Sequence, residues 1–378
     1  MKRSFLLHIT NDYSGSMVYK NLVGELDNLG LPQIVYNPIK EESRVGKNKI
    51  ELNAKGSEII YSHILNKTTD RIFYKKKIKK IVKDIESKVD FSKIKMIHAH
   101  TWYSDGGVAY LLSQKYNIPY IVAVRNTDLN VHYKYFIQHR KFGSKILNNA
   151  ERIILIGEYQ KMFFDKQMSI GYSNENKMMI IPNGVDSYWI KNAESFVHKT
   201  ENAPFKILYV GTFIKRKKLV ELQKAIIDIS EENKIVCQLH IVGGGGKQTK
   251  EILDNVDKHP DLFIYYGKIY DKNELKDIYS NSHIFAMPSK HETFGLVYVE
   301  AMLQGLPILY TANEGIDGFY EEKIGEKVIS SEVEEIKQKV LELIKNYDSY
   351  TIPTQKLIEN HNWKNIAQIY QEIYNKEQ

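Results

Sequence analysis

Two glutamates, Glu292 and Glu300, stand eight positions apart in MPSKHETFGLVYVEAMLQGLP, residues 287–307. The segment reads as a strand end, a Pro288-Ser289 turn, and a loop-to-helix transition at Thr293-Phe294-Gly295-Leu296. Across a continuous helix that spacing covers about 12 Å. Carboxylates so far apart share neither a proton nor a metal ion, but they can hold two sugar rings at opposite ends of an extended ligand. Backbone N–H groups around Phe294, Gly295 and Leu296 would lie at a helix N-terminus, where a diphosphate is favoured. An ordinary helix with one capping and one exposed glutamate carries the same spacing.

Other residues invite chemistry less directly. Lys215-Arg216-Lys217-Lys218 follows an apolar run ending at Gly211-Thr212; such a cationic run is either solvated surface or the partner of an anion. Gly243-Gly244-Gly245-Gly246 follows another apolar run, as a phosphate-binding loop or a plain flexible turn. Tyr13-Ser14-Gly15-Ser16 makes a small-residue turn after the first apolar run, and Asp105-Gly106-Gly107 opens a helical stretch. Arg125 stands in Val124-Arg125-Asn126-Thr127-Asp128, ready to fork onto an anion or to pair with Asp128. His98 and His100 share one face of an expected strand, and the spacing supplies no carboxylate partner; packing is expected of them and of His8, and no metal site.

Repeated strand–loop–helix units must position these residues. Short apolar runs at 5–10, 33–37, 95–99, 120–124, 152–156 and 179–181 alternate with helical spacing, as at 17–29, which ends on Gly30. The rhythm restarts with runs at 206–210, 238–242, 263–266, 284–287 and 307–310. Alternation of this kind predicts an α/β chain with two parallel sheets, each covered on both faces. The aperiodic stretch 187–204 is the expected linker. The helix at 363–376 follows the second unit and is expected to return to the first, giving domains 1–195 plus 360–378 and 196–359. Ligands of doubly wound sheets sit at strand C-terminal ends, so a cleft between two such domains is the expected site.

Composition narrows the classes. The 378 residues are 43% hydrophobic and 26% charged, which excludes a disordered chain. One cysteine, Cys237, excludes an internal disulfide and a cysteine metal site; its apolar neighbours predict a buried thiol. The first residues read as a strand rather than a leader, and no apolar run reaches transmembrane length. Residues 1–200 hold 31 Lys+Arg against 19 Asp+Glu, whereas 201–378 hold 22 against 27. Residues 71–90 alone hold eight basic residues against three acidic, with Ile72, Phe73, Ile78, Ile81, Val82 and Ile85 near one helical face. That amphipathic pattern suits an anionic membrane surface or a solvated helix. No nucleic-acid motif appears, and nucleic acid is not an expected partner.

The segment 287–307 resembles the Glu-x7-Glu signature of family 4 retaining glycosyltransferases of the GT-B fold, including the turn, the glycine and the following Ala-Met-x-x-Gly-x-Pro. YVGTFIKRKKL (209–219), HIVGGGG (240–246), IPNGVD (181–186), IHAHTWYSDGGVAYLL (97–112) and PYIVAVRNTDLN (119–130) are similar to further family strings. The resemblance implies two Rossmann-like domains, an acceptor-side first and a donor-binding second. It implies transfer of a sugar from a UDP- or GDP-sugar to a hydroxyl acceptor, lipid-linked or a growing cell-surface glycan, with no cofactor and no metal. Glu292 would bind donor-sugar hydroxyls, Glu300 the ribose, and Lys217 the leaving diphosphate, with Gly211 and Gly243 beside the nucleotide. Gly15, Ser16 and Asp105 would border an acceptor or phosphate loop. Three positions depart from the pattern: Thr212 replaces a diphosphate-binding Arg, for which Arg216 or Lys218 could compensate; Arg125 replaces a His near the reacting centre; Ser16 replaces a glycine. The implied setting is a bacterial polysaccharide pathway in the cytoplasm or on the inner membrane face. Another GT-B nucleotide-sugar enzyme, such as a UDP-GlcNAc epimerase, and a non-catalytic binding protein are the alternatives.

Overall fold

The computed structural model describes residues 3–167, 175–197, 204–233 and 236–376. The chain divides into two compact units: residues 1–156, 160–183 and 363–378 form the first, and residues 157–159 and 184–362 the second.

The first unit is a seven-stranded parallel sheet of β1 (Phe5–Ile9), β2 (Gln33–Pro38), β3 (Glu58–Ser62), β4 (Ile94–Ala99), β5 (Tyr120–Ala123), β6 (Arg152–Leu155) and β7 (Met178–Ile180), in the order β3-β2-β1-β4-β5-β6-β7. Connectivity reverses between β1 and β4. Side chains alternate across the sheet: Leu7, Ile9, Ile97 and Ala99 enter one core, Leu6 and Met96 the other. The helix Trp363–Lys376 covers that second face with Trp363, Ile366, Tyr370, Ile373 and Tyr374. Each such side chain contributes about 1.5–3 kcal/mol of burial.

The second unit is a six-stranded parallel sheet of β8 (Phe205–Gly211), β9 (Cys237–Gly243), β10 (Phe263–Gly267), β11 (Ile284–Ala286), β12 (Ile308–Thr311) and β13 (Gly325–Val328), in the order β10-β9-β8-β11-β12-β13. Ile207, Leu208, Leu239, Ile241, Ile284 and Phe285 are fully buried in it. Cys237 is buried as expected, and burial pushes its thiol up to about 11.

One sequence expectation changes and one open alternative is narrowed. Residues 187–204 are not a free linker where described, because their start is tied to the second unit. Asp186 accepts the Tyr188 N–H at 2.9 Å and caps the helix Ser187–Lys191, the Glu194 N–H donates to the Leu303 carbonyl at 2.7 Å, and Trp189 is buried against Tyr279. Apart from residues 157–159, which group with the second unit, the division falls at Asn183/Gly184 and Asn362/Trp363 rather than at 195 and 360, and residues 198–203 lie outside the described set. The basic helix Tyr74–Glu86 also spends its apolar stripe on the core: Tyr74, Ile78, Ile81 and Ile85 are buried, and of the stretch's apolar residues only Ile72 and Phe73 are exposed, beside Lys75, Lys76, Lys79, Lys80 and Lys83.

Candidate functional site

The second unit gathers its polar side chains at the C-terminal ends of β8 and β11. After β8 the chain passes Thr212 and makes a one-turn helix, Lys215–Lys217. After β11 it runs through Met287, Pro288 and Ser289 to Glu292. The Lys290 N–H donates to the Arg216 carbonyl at 2.7 Å, which ties the two loops together.

Glu292 is the hub. Its Oε2 accepts from Lys217 Nζ at 2.5 Å, from Ser289 Oγ at 3.1 Å and from Arg216 Nη1 at 3.5 Å. Its Oε1 accepts the Thr293 N–H at 3.2 Å, and its own N–H donates to Glu314 Oε2 at 2.9 Å. Burial raises the Glu292 pKa, but the charges of Lys217 and Arg216 and these hydrogen bonds outweigh it, holding the carboxyl below its ordinary value. Burial pulls Lys217 down against the pull of Glu292. Lys217 is 13% exposed and Glu292 10%, whereas the Arg216 side chain is 45% exposed. The result is a mostly desolvated ion pair with a second cation at its edge.

This geometry sorts the cationic run. Arg216 and Lys217 face Glu292, while Lys218 turns away, buried and paired with Glu221 at 2.7 Å. Of the two residues that could compensate for Thr212, Arg216 is therefore the one at the site. Thr212 itself is exposed, and its carbonyl accepts the Tyr209 hydroxyl at 3.2 Å.

Glu300 lies one step further along. The residues between the two glutamates are not one helix: Gly295 is left-handed (φ +78°), and the helix runs only from Leu296 to Met302. A Cβ on Gly295 would meet the Tyr298 ring at 2.5 Å. Phe294 is a core residue, edge-on to Phe319, so only its backbone is available to a ligand. Glu300 is half-buried, and no hydrogen bond or ion pair joins its carboxyl to the described residues. Burial, then the Asp186 charge, push it up to about 8 against the opposing charge of Lys272. Asp186 is itself paired with Lys272 at 2.6 Å.

The Gly243–Gly246 loop packs on the end of β8. Gly243 pairs with Gly211 in the sheet, and a Cβ on it (φ +137°) would sit 1.9 Å from the Gly211 carbonyl oxygen. The Phe213 N–H donates to Gly245, and the Gln248 N–H to Phe213. The glycines let two backbones touch beside the cationic loop.

The first unit holds the remaining expected residues. Arg125 does not make a side-chain ion pair with Asp128: its backbone N–H donates to that carboxylate at 2.9 Å, while its Nε donates to the His100 carbonyl at 3.1 Å and its Nη1 to Asn183 Oδ1 at 3.3 Å. Asp128 also accepts the N–H groups of Trp102 and Tyr103; burial nevertheless raises it to about 6. Asp105 is fully buried, accepts from Asn11, and is raised to about 7 by burial. Gly15 ends the turn Tyr13–Gly15, where a Cβ would meet Asp12 Oδ1 at 2.2 Å; Ser16 precedes the helix Met17–Asn28 without a capping side-chain bond.

His8, His98 and His100 cluster in the core, with ligand atoms within 4.8 Å of one another. His8 Nδ1 and His100 Nε2 lie 3.0 Å apart, and His98 Nδ1 meets the Tyr374 hydroxyl at 2.7 Å. Burial drives all three pKa values down, and the nearby Arg125 charge depresses those of His98 and His100 further; that charge also opposes a cation there.

The sequence reading missed Ser289, Glu314, Asp186 and Lys272, which hold or face the two glutamates. Ser289 stood in the quoted 287–307 string only as a turn residue, and Glu314 carries no local pattern. Asp186 stood in the quoted IPNGVD string, but its approach to Glu300 depends on tertiary folding.

Residues 190–368 match the family model described as glycosyl transferases group 1. An uncharacterized glycosyltransferase of Methanocaldococcus jannaschii is 29% identical, covering 67% of this chain and 66% of that protein. The alpha-monoglucosyldiacylglycerol synthase of Acholeplasma laidlawii is 24% identical, covering 61% and 62%. The chain thus spans a little under two thirds of these curated relatives. The crystal structure of Anabaena HepE in complex with UDP aligns with a TM-score of 0.69 and 14% identity over 99% of this chain and 100% of that one. With the two parallel sheets, this likeness gives an α/β fold of the GT-B class, two Rossmann-like units, as the sequence predicts.

Proposed function

We propose that the chain is a nucleotide-sugar-dependent glycosyltransferase, and that it acts with retention. One observation carries this reading: the desolvated Lys217–Glu292 pair, with Arg216 at its edge, lies on the strand ends that lead to the unpaired Glu300. Lys217 and Arg216 supply the positive charge that a departing nucleoside diphosphate needs, in a site poor in water. Because the helix after Gly295 is only seven residues long, these cations carry more of that task than its dipole. Glu300 accepts from ribose hydroxyls, and Glu292 orients Lys217 and accepts from a hydroxyl of the donor sugar. The glycosidic C–O bond to the diphosphate breaks, the acceptor oxygen bonds the same carbon from the same face, and its proton passes to the diphosphate. No residue forms a covalent intermediate. The UDP in the HepE structure supports a UDP-sugar donor.

Asp105, Gly15 and Ser16 border the acceptor side on the first unit, and Arg125 is a positioning group there, its fork already spent in part on His100 and Asn183. The name of the Acholeplasma relative supports a lipid acceptor. No helix among the described residues is long and apolar enough to cross a membrane. Membrane contact would therefore fall to Ile72, Phe73 and the exposed lysines of the basic helix, on the inner face of a bacterial membrane in a cell-surface glycan pathway. Neither a cofactor nor a metal has a part in this mechanism.

A thermal-shift screen of UDP- and GDP-sugars, followed by product analysis with and without a hydroxyl acceptor, tests the reading. A ligand that binds only the folded chain raises its melting temperature, and Glu300→Gln removes most of the shift. Release of nucleotide with no glycosylated product would favour an epimerase; binding without turnover of any donor would favour a non-catalytic role.

A further inference from the structure

The first unit contains a cavity of about 320 Å³ that the donor chemistry does not use. It opens at the C-terminal ends of β1 and β2, beside the point where the strand order reverses, the usual place for a ligand of such a sheet. Asn11, Asp12, Lys40, Glu41, Arg44 and Lys77 form its polar wall, and Pro38, Ile39 and Leu65 its apolar part.

The charges are unevenly satisfied. Asp12 is neutralised by Arg44 at 3.1 Å, and Glu41 by Lys67 at 2.7 Å. Lys40 and Lys77 have no carboxylate within ion-pair distance among the described residues. Lys77 is the more telling: it projects from the basic helix into a poorly hydrated position, where its ammonium meets the Ser104 hydroxyl. Behind the cavity wall, the buried Asp105 accepts from Asn11; its charge and that of Asp70 favour the Lys77 ammonium, while burial and the Lys40 charge oppose it. A half-buried ammonium with no carboxylate in ion-pair distance is poorly compensated, and an anionic ligand would relieve it. Asn11 Oδ1, without a hydrogen-bond partner among the described residues, and the Asp12 carboxylate add acceptors of the kind a hydroxyl-bearing ligand uses.

We infer that this cavity binds a phosphate ester of a polyol, with Lys77 and Lys40 on the phosphate, so that the acceptor carries a phosphate near its reacting hydroxyl. The inference rests on the glycosyltransferase reading and names the acceptor class for it.

The test begins with UDP binding to the full chain, which stands or falls with the donor reading alone. The UDP-saturated protein is then titrated calorimetrically with sn-glycerol 3-phosphate, inorganic phosphate and glycerol. Vesicles of phosphatidylcholine, with and without phosphatidylglycerol, form a second arm. Glycerol phosphate is expected to bind where glycerol does not, and Lys77→Gln to weaken it about tenfold, the effect of one charge-assisted contact. Lys40→Gln, at an exposed position that does not threaten folding, should weaken it about threefold. Binding only to the phosphatidylglycerol vesicles, lost in both variants, would support the same site with a lipid headgroup as the source of phosphate. Binding of UDP together with no phosphate binding in either arm, or with affinities indifferent to both substitutions, overturns the inference and leaves the donor reading intact.

Discussion

Lys217 and Glu292 hold each other, so replacing Glu292 takes from the poorly hydrated Lys217 its carboxylate partner, whereas replacing Lys217 leaves Glu292 with Arg216 at 3.5 Å and its hydrogen bonds. Lys217→Met is expected to lower kcat by about 10²–10³, the usual effect of removing one group that stabilises a leaving anion. A companion Arg216→Met, at a half-exposed position, should cost less. Steady-state kinetics with a saturating donor checks the order, and an equal loss in both variants would contradict it. Glu300 yields a pH dependence. Its carboxyl titrates near 8 in the folded chain, far above its ordinary 4.5. The folded state therefore holds a proton that the unfolded chain has already lost, and stability falls as pH rises from about 4.5 through 8. Glu300→Gln should flatten that fall, seen as a melting-temperature gain over wild type at pH 9 that vanishes at pH 4. Ribose hydroxyls donate best to the ionised carboxylate, so UDP affinity should climb between pH 6.5 and 9 in wild type and stay level in the variant, once the nucleotide's own titration is subtracted. The resemblance singled out both glutamates and Lys217 from local strings, and the structure brings Lys217 and Glu292 into contact. The choice of Arg216 over Lys218 was not, since it depends on the left-handed turn at Lys218 (φ +58°), which sends that side chain to Glu221.

At the scale of elements, the glycines show which turns are structural necessities. Gly243→Ala places a Cβ 1.9 Å from the Gly211 carbonyl, inside the β8–β9 pairing, whereas Gly267→Ala, also left-handed (φ +73°), meets nothing within 4 Å. Gly267→Ala should cost about 1–2 kcal/mol of backbone strain, and Gly243→Ala more than about 3 kcal/mol, because main chain must move as well. Urea unfolding of the two variants tests this, and equal midpoints would refute it. The strand rhythm made most of the two sheets legible, since buried parallel strands read as short apolar runs. Two edge strands escaped. β3 carries Glu58 and partly exposed side chains, and β13 is Gly-Glu-Lys-Val; neither is apolar enough to announce burial. The basic helix was ambiguous for a different reason. Its stripe of Ile78, Ile81 and Ile85 is equally suited to a core or a membrane, and only packing decided for the core.

For the whole molecule, the charge asymmetry outlasts that correction. Residues 1–200 carry 31 Lys+Arg against 19 Asp+Glu, and Lys75, Lys76, Lys79, Lys80 and Lys83 are exposed on one helix beside the exposed Ile72 and Phe73. With the apolar stripe buried, this surface can attract an anionic bilayer but has only two apolar side chains on that element to insert. Attraction should therefore be mainly electrostatic, roughly 1 kcal/mol for each lysine near the surface, and screened within a Debye length of about 8 Å in physiological salt. Cosedimentation with phosphatidylglycerol vesicles should accordingly be strong at low ionic strength and largely lost in half-molar salt. A triple Lys75→Glu, Lys76→Glu, Lys79→Glu variant should fail to bind even at low salt, while its melting temperature stays near wild type because those positions face solvent. A doubly substituted Ile72→Ser, Phe73→Ser chain should lose only part of its binding. If instead the two apolar substitutions abolished binding and salt did not, insertion rather than charge would hold the molecule to the membrane, and the excess of basic residues in the first half of the chain would need another partner.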